Sequence, residues 1–244
     1  MRSHDGTGSA EADRKMHRRA MLLLPFAAFI ATKILKQDVL WTDDTPVMFF
    51  DRDGPMSMLA DWSGFLHADA YSGYDSVIHA SNGLIIEVAC WAHARGYFEQ
   101  ALHNDRKVSG LVLEWVRQLY DIEDRALLMS DDERLALRKA ESVPILRRMG
   151  AWLKVDDDGV FSKNAFPDGV LPKEAISQAI GYTNNHWAAL QVYVSNAHVP
   201  IDNNLTEQLM KQVATGRKNW RAPEVPRRTS GRSPPWDALL IMFA

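Results

Sequence analysis

The sequence predicts an α/β fold with a reduced sheet and a large helical insertion. Three observations predict it. Short runs rich in β-branched and aromatic residues fall within the first hundred positions. From Gly110 to Leu153 the apolar residues recur at helical spacing instead. Three acidic residues, Asp43, Asp69 and Glu207, each sit inside a distinct short motif, two beside expected strand ends and one on an expected late helix.

The elements follow in chain order. Residues 1–19 are polar and contain Gly and Ser, so they read as a disordered segment. Met21 to Ala31 reads MLLLPFAAFIA behind Arg18 and Arg19, which mimics a signal peptide. The stretch is too short to span a membrane, and Lys33 and Lys36 follow without a small-residue cleavage site. A buried helix over Ala20 to Lys36 is the preferred reading, with a targeting segment as the alternative. Asp38 to Phe50 alternates and is rich in Val, Trp and Phe, as a strand is. Asp53-Gly54-Pro55 marks a turn. Gly64 to Ala68 is a short apolar run, expected as a buried strand ending at Asp69. Leu84 to Trp91 (LIIEVACW) is the strongest strand signal, with helix expected from Ala92.

In the helical stretch, Leu111, Trp115, Val116, Leu119, Tyr120 and Ile122 form one stripe. Ser130-Asp131-Asp132-Glu133 has the form of a capping box. Asp156 to Gly159 is a polar break, read as a turn because it lacks the distal Glu of a calcium loop. Pro172 to Val194 is expected as another helix. Asp202-Asn203-Asn204 offers helix caps, with Glu207 in the first turns that follow. Residues 221–244 form an irregular basic tail, and residues 20–220 one domain with its helical insertion at about 105–195.

Composition narrows the function classes. An apolar fraction of 46% and a charged fraction of 24% exclude global disorder. A net charge of −3 gives no overall positive field. The charge is uneven, however. Lys211, Arg217, Lys218, Arg221, Arg227, Arg228 and Arg232 face only Glu224 between positions 211 and 232. Phosphate contacts and a solvated tail both fit that run. The single cysteine, Cys90, allows no internal disulfide and no Cys-based zinc site, and suits a reducing cytoplasm. Its apolar setting reads as a small buried side chain.

A carboxylate at the end of a buried strand is held rigidly at the sheet rim. If the strands before Asp43 and Asp69 are neighbours, the two acids converge, and a helix packed on that rim can add a third. This is the ribonuclease-H-like arrangement. It lets Glu207 lie 138 positions beyond Asp69. Three carboxylates suit hard divalent cations, and a metal pair stabilises the attacking and leaving oxygens of an in-line displacement.

The motifs around these acids resemble the transposases of the insertion sequence 66 family, which carry a DDE catalytic domain. The matching segments are VLWTDDTPV (Val39 to Val47), GFLHADAYSGYD (Gly64 to Asp75), EVACWAHARGYF (Glu87 to Phe98) and IDNNLTEQLMKQVATGRKNW (Ile201 to Trp220). The resemblance spans roughly residues 38–220. It implies that Asp43, Asp69 and Glu207 are catalytic and bind two Mg²⁺ ions, with Mn²⁺ as a substitute and Asp44 as second choice at the first position. It implies that His93 and Arg95 lie near the site or the DNA; capping or packing is the plain alternative for His93. Lys211, Arg217 and Lys218 would meet phosphates. The implied partners are transposon ends and target DNA, with a homo-oligomer as the working form, no membrane, and the cytoplasm as location.

The departures from the family pattern carry equal weight. Only 26 positions separate Asp43 from Asp69, where family members have room for two further strands. Gln208 follows Glu207 where the family usually has Arg. The resemblance ends at Trp220, and the N-terminal DNA-binding and coiled regions of family members have no counterpart. These features read as a partial or degenerate transposase. A catalytically dead remnant that at most binds DNA or a partner is therefore the competing expectation. A membrane-associated protein led by residues 16–31 is a third.

Overall fold

The structure is a computed structural model that describes residues 29, 32–42, 59, 61–68, 74–153, 174–209 and 211. It combines a small parallel sheet with a predominantly helical remainder. Strands β1 (Val39–Trp41), β2 (Gly64–His67) and β3 (Ile85–Val88) lie in the order β1-β2-β3. Both ladders are parallel, pairing Leu40 with Leu66 and Leu66 with Glu87.

Alternation along the strands builds two cores. Leu40, Leu66 and Ile85 join Leu59, Trp62, Tyr74 and Val77 in one apolar cluster. Val39 and Val88 join the helical cluster, against which Trp41 and Phe65 also pack. In-register partners share a face and successive residues oppose, so the two clusters cover opposite faces of the sheet. Parallel sheets require such cover on both sides. Gly64 is where β2 enters: its φ is +152°, and a Cβ there would fall 2.5 Å from the Asp38 carbonyl oxygen. Only glycine permits that approach.

Helix α1 (Asp75–Ala80) links β2 to β3. Further along the chain lie α2 (Trp91–Ala101), α3 (Arg106–Ala126), α4 (Asp131–Leu137), α5 (Val143–Leu153), α6 (Ala175–Asn185) and α7 (Trp187–Gln191), followed by a short helix α8 over residues 204–209. A π-helical turn, Arg138–Ser142, joins α4 to α5. Ser130 and Glu133 form the expected capping box at the start of α4.

Several expectations are corrected. The strand expected over Leu84 to Trp91 is only Ile85–Val88, because Trp91 already opens α2 with its indole buried under Leu190. Helix α1 had no clear sequence signal: DSVIHA is short and buries only Val77. Leu111 lies on the exposed side of α3, and Val112 takes its place in the buried stripe. The helix expected from Pro172 to Val194 breaks at His186 and ends in a 3-10 turn. Of the strand expected over Asp38 to Phe50, Val39–Trp41 is present and 43–50 lie outside the described residues. The disordered segment 1–19, the polar break at Asp156 to Gly159 and the tail 221–244 also lie outside them. Among the described residues, no helix is long and apolar enough to cross a membrane.

Candidate functional site

The carboxyl ends of β1 and β2 lie side by side, with Trp41 paired to His67. Thr42 extends the ladder: its backbone N–H donates to the His67 carbonyl at 2.9 Å, and its hydroxyl reaches the same oxygen at 3.3 Å. The expectation that these two strands adjoin is therefore met. Asp43 follows Thr42 directly, and Asp69 follows His67 by two residues; both acids lie outside the described residues.

A second wall comes from the start of α2. Cys90 is its N-cap, in extended conformation, and His93 falls in the first turn. The segment leading to Glu207 is stitched onto this wall. Trp91 N–H donates to the Ile201 carbonyl at 3.1 Å, and Asn203 N–H donates to Cys90 Sγ at 3.3 Å. The Asn203 side-chain amide donates to the Thr42 carbonyl at 2.9 Å. Asn203, expected only as a helix cap, ties the β1 end to the helix carrying the third acid. Glu207 N–H donates back to the Asn203 carbonyl at 3.1 Å. His93 Nε2 then lies 3.5 Å from Glu207 Oε1, with the side chains 39% and 24% exposed. The Cys90 thiol is fully buried beside them.

Asp202 braces the same segment. Its carboxylate accepts from the Tyr120 hydroxyl at 2.8 Å and from both nitrogens of Asn204, at 3.2 and 2.6 Å. Burial first, and then the Asp202 charge, push the Tyr120 hydroxyl well above its ordinary range, so it stays a donor. Arg95 lies 5.5 Å above the Tyr120 ring and 3.3 Å from Glu99. Arg95 therefore has partners within the chain. Lys211 is exposed, four positions beyond Glu207, while Arg217 and Lys218 lie outside the described residues.

The loop that delivers Ile201 is anchored by a residue to which no site role was attached. Arg138, in the π-helical turn, is 1% exposed and pairs bidentately with Glu123 at 2.8 and 2.6 Å. It also donates to the carbonyls of Tyr193, Asn196 and Val199, at 2.5, 2.8 and 3.2 Å. One guanidinium, with donors in a rigid fork, thereby fixes three backbone carbonyls on the approach to the site.

Sequence reasoning missed Thr42, Asn203 and Tyr120 as structural partners of the site. Their roles depend on contacts across 82 to 161 positions. The Cys90–His93 spacing was legible, since residues three apart at a helix start face the same way. From sequence, Cys90 reads as a small buried side chain, while His93 is expected near the site or the DNA.

Fold and site together define a mixed α/β protein with the Glu207 helix docked at the carboxyl edge of a small parallel sheet. The chain belongs to the IS66 transposase family: the description Transposase IS66 family matches residues 51–227. That range takes in Asp69 and Glu207 and begins after Asp43; compared with the span read from motifs, it starts later and runs further past Trp220. Similar proteins from Sinorhizobium fredii (strain NBRC 101917 / NGR234) include the uncharacterized protein y4hP, 30% identical over 70% of this chain and 32% of its own length. The uncharacterized protein y4jD is 29% identical over 66% of this chain and 30% of its own. The chain spans about a third of the length of these curated relatives. No solved structure matches.

Proposed function

We propose that this chain carries the DNA-processing site of a transposase, which cleaves transposon ends and transfers the freed 3′-hydroxyl to target DNA. The observation that carries the reading is the attachment of Asn203 to both Thr42 and Cys90. It brings the helix of Glu207 to the rim where β1 and β2 end, each two residues before its acid, Asp43 or Asp69. On this reading the three carboxylates form one site on a ribonuclease-H-like core, and the helices at about 105–195 are an insertion between the second and third acids.

Three carboxylates offer the oxygen donors that Mg²⁺ or Mn²⁺ prefers. Among the described residues, however, the neighbours of Glu207 are a nitrogen and a sulfur donor. The oxygen-rich part of the site thus rests on Asp43 and Asp69. A bound ion pair would supply charge neutralisation at the attacking and leaving oxygens. The chain's own residues would do the rest. His93 holds the Glu207 carboxylate, and Lys211, Arg217 and Lys218 meet phosphates, which positions DNA without reading its sequence. Arg95 adds positive charge beside the rim. Acting on two ends at once calls for a homo-oligomer, and a DNA partner is met in the cytoplasm.

One observation favours a second reading, a remnant that binds DNA without cutting it. Asp43 precedes the family match and stands only 26 positions from Asp69. Labelled transposon-end DNA with Mg²⁺ separates the readings. Cleavage that disappears in Glu207→Gln supports the transposase reading; retention of DNA without cleavage supports the remnant. Neither retention nor cleavage would sink both.

A further inference from the structure

Glu207 has unusual company for an acid expected to bind only hard cations. The Cys90 thiol, a His93 ring nitrogen and a Glu207 carboxylate oxygen all lie within 4.8 Å of one another. These are three unlike donors converging from two separate elements. Cys90 and His93 come from the start of α2, and Glu207 comes from α8, 114 positions after His93.

We propose that Cys90, His93 and Glu207 form a binding site for a borderline-soft divalent transition-metal ion of the zinc class. The geometry is close to what such an ion requires. With metal–nitrogen and metal–oxygen bonds of about 2.0–2.2 Å, the edge of a tetrahedron is about 3.4 Å. His93 Nε2 and Glu207 Oε1 are 3.5 Å apart. The sulfur lies within 4.8 Å of both, so closing to a comparable edge asks for at most roughly 1 Å of movement, shared between the His93 and Glu207 side chains by rotation about their χ angles.

Donor chemistry selects the ion. Thiolate and imidazole favour Zn²⁺ and its neighbours in the transition series, whereas Mg²⁺ prefers oxygen and retains water. A lone cysteine cannot build a multi-thiolate zinc centre, but it suffices as one of three mixed donors, with the fourth position open to water. The site is also accessible and held in place. The His93 and Glu207 side chains are partly exposed, and the thiol beside them is buried. The hydrogen bonds from Trp91 to Ile201 and from Asn203 to Cys90 set the two walls against each other. This site does not rest on the transposase reading or on Asp43 and Asp69, although an ion there would occupy the Glu207 carboxylate.

Cobalt titration of the purified full chain tests it, with Co²⁺ as probe and a non-thiol reductant. We expect a near-ultraviolet thiolate-to-cobalt charge-transfer band, saturating at one ion per chain and abolished by excess Zn²⁺. Cys90 is the only cysteine, so a band in the unmodified protein can come from no other thiol. The assignment of the sulfur therefore stands even if Cys90→Ser fails to fold. His93→Ala and Glu207→Gln should each weaken Co²⁺ binding by at least about tenfold, since even the outer partners of metal ligands cost that much. No band in the unmodified protein would overturn the proposal. So would a band whose affinity is unchanged in both variants. Loss of DNA cleavage or binding would leave this result untouched, so the two readings fail separately.

Discussion

The side-chain amide of Asn203 donates to the backbone carbonyl of Thr42 at 2.9 Å across 161 positions of sequence. Thr42 is 4% exposed and Asn203 1%, so the bond is sealed from water. It joins the end of the first strand to the start of the last described helix, between segments that share no local sequence signal.

That bond gives the first prediction. Asn203→Ala leaves the Thr42 carbonyl without this donor in a dry environment. The expected cost is about 1–3 kcal/mol, the penalty of an unsatisfied buried polar group. Urea unfolding measures it. An unchanged midpoint would show that the contact does not hold the rim together.

Arg138 supports a larger effect. Arg138→Met removes one member of a buried ion pair and strands Glu123, with three carbonyls losing their donor. The expected loss is about 3–5 kcal/mol. Adding Glu123→Gln to that variant should recover part of it, because the uncompensated charge is then removed. A double variant no more stable than the single one would argue against a charge effect.

Glu87 predicts a pH dependence with a definite sign. Burial, and then the nearby Asp75 charge, raise its carboxyl above the ordinary value of 4.5. A raised acid binds its proton more tightly when folded, so stability falls as pH climbs from the unfolded value through the folded one. Glu87→Gln should therefore be more stable than the parent at neutral pH, and the advantage should vanish below the ordinary carboxylate range. Denaturation midpoints against pH for both proteins check this; a parent as stable as the variant at neutral pH would contradict it.

The basic end makes a prediction about salt. Arg217→Ala with Lys218→Ala should weaken DNA binding on every sequence. Each lost phosphate contact should also flatten the slope of log affinity against log salt by about 0.9. If the slope stays the same, these side chains face solvent.

On the second reading, the remnant, joined DNA product is weak or absent. The motivation is the short interval between Asp43 and Asp69, which leaves little chain to hold the first acid against the second. Misplacement of reacting groups by about 1 Å can cost about a hundredfold in rate. Strand-transfer assays with plasmid target and Mg²⁺ would contradict this if they gave product that Asp69→Ala abolishes.

Much of the architecture was legible in the linear chain because its signals are local. Gly64 to His67 announces a buried strand by continuous apolar residues, and Ser130 to Glu133 announces a helix start by its own side chains. The α3 stripe was legible apart from one position, Leu111, whose neighbour Val112 has the better angle towards the core. The family, too, was readable from motifs, because a motif is a property of neighbouring residues.

Tertiary structure decided which of those residues meet. No periodicity tells Asn203 to donate to Thr42, Tyr120 to Asp202, or Arg138 to three carbonyls of a distant loop. Nor could spacing alone bring Glu207 to His93 and Cys90. Such contacts depend on how the helices settle on the sheet, which is set by the summed burial of many apolar side chains. By itself the sequence determined the alternating faces, the helix start at Ser130 and the kinship of this protein. Packing determined the site, because a hydrogen bond between residues 161 positions apart exists only after the core between them has closed.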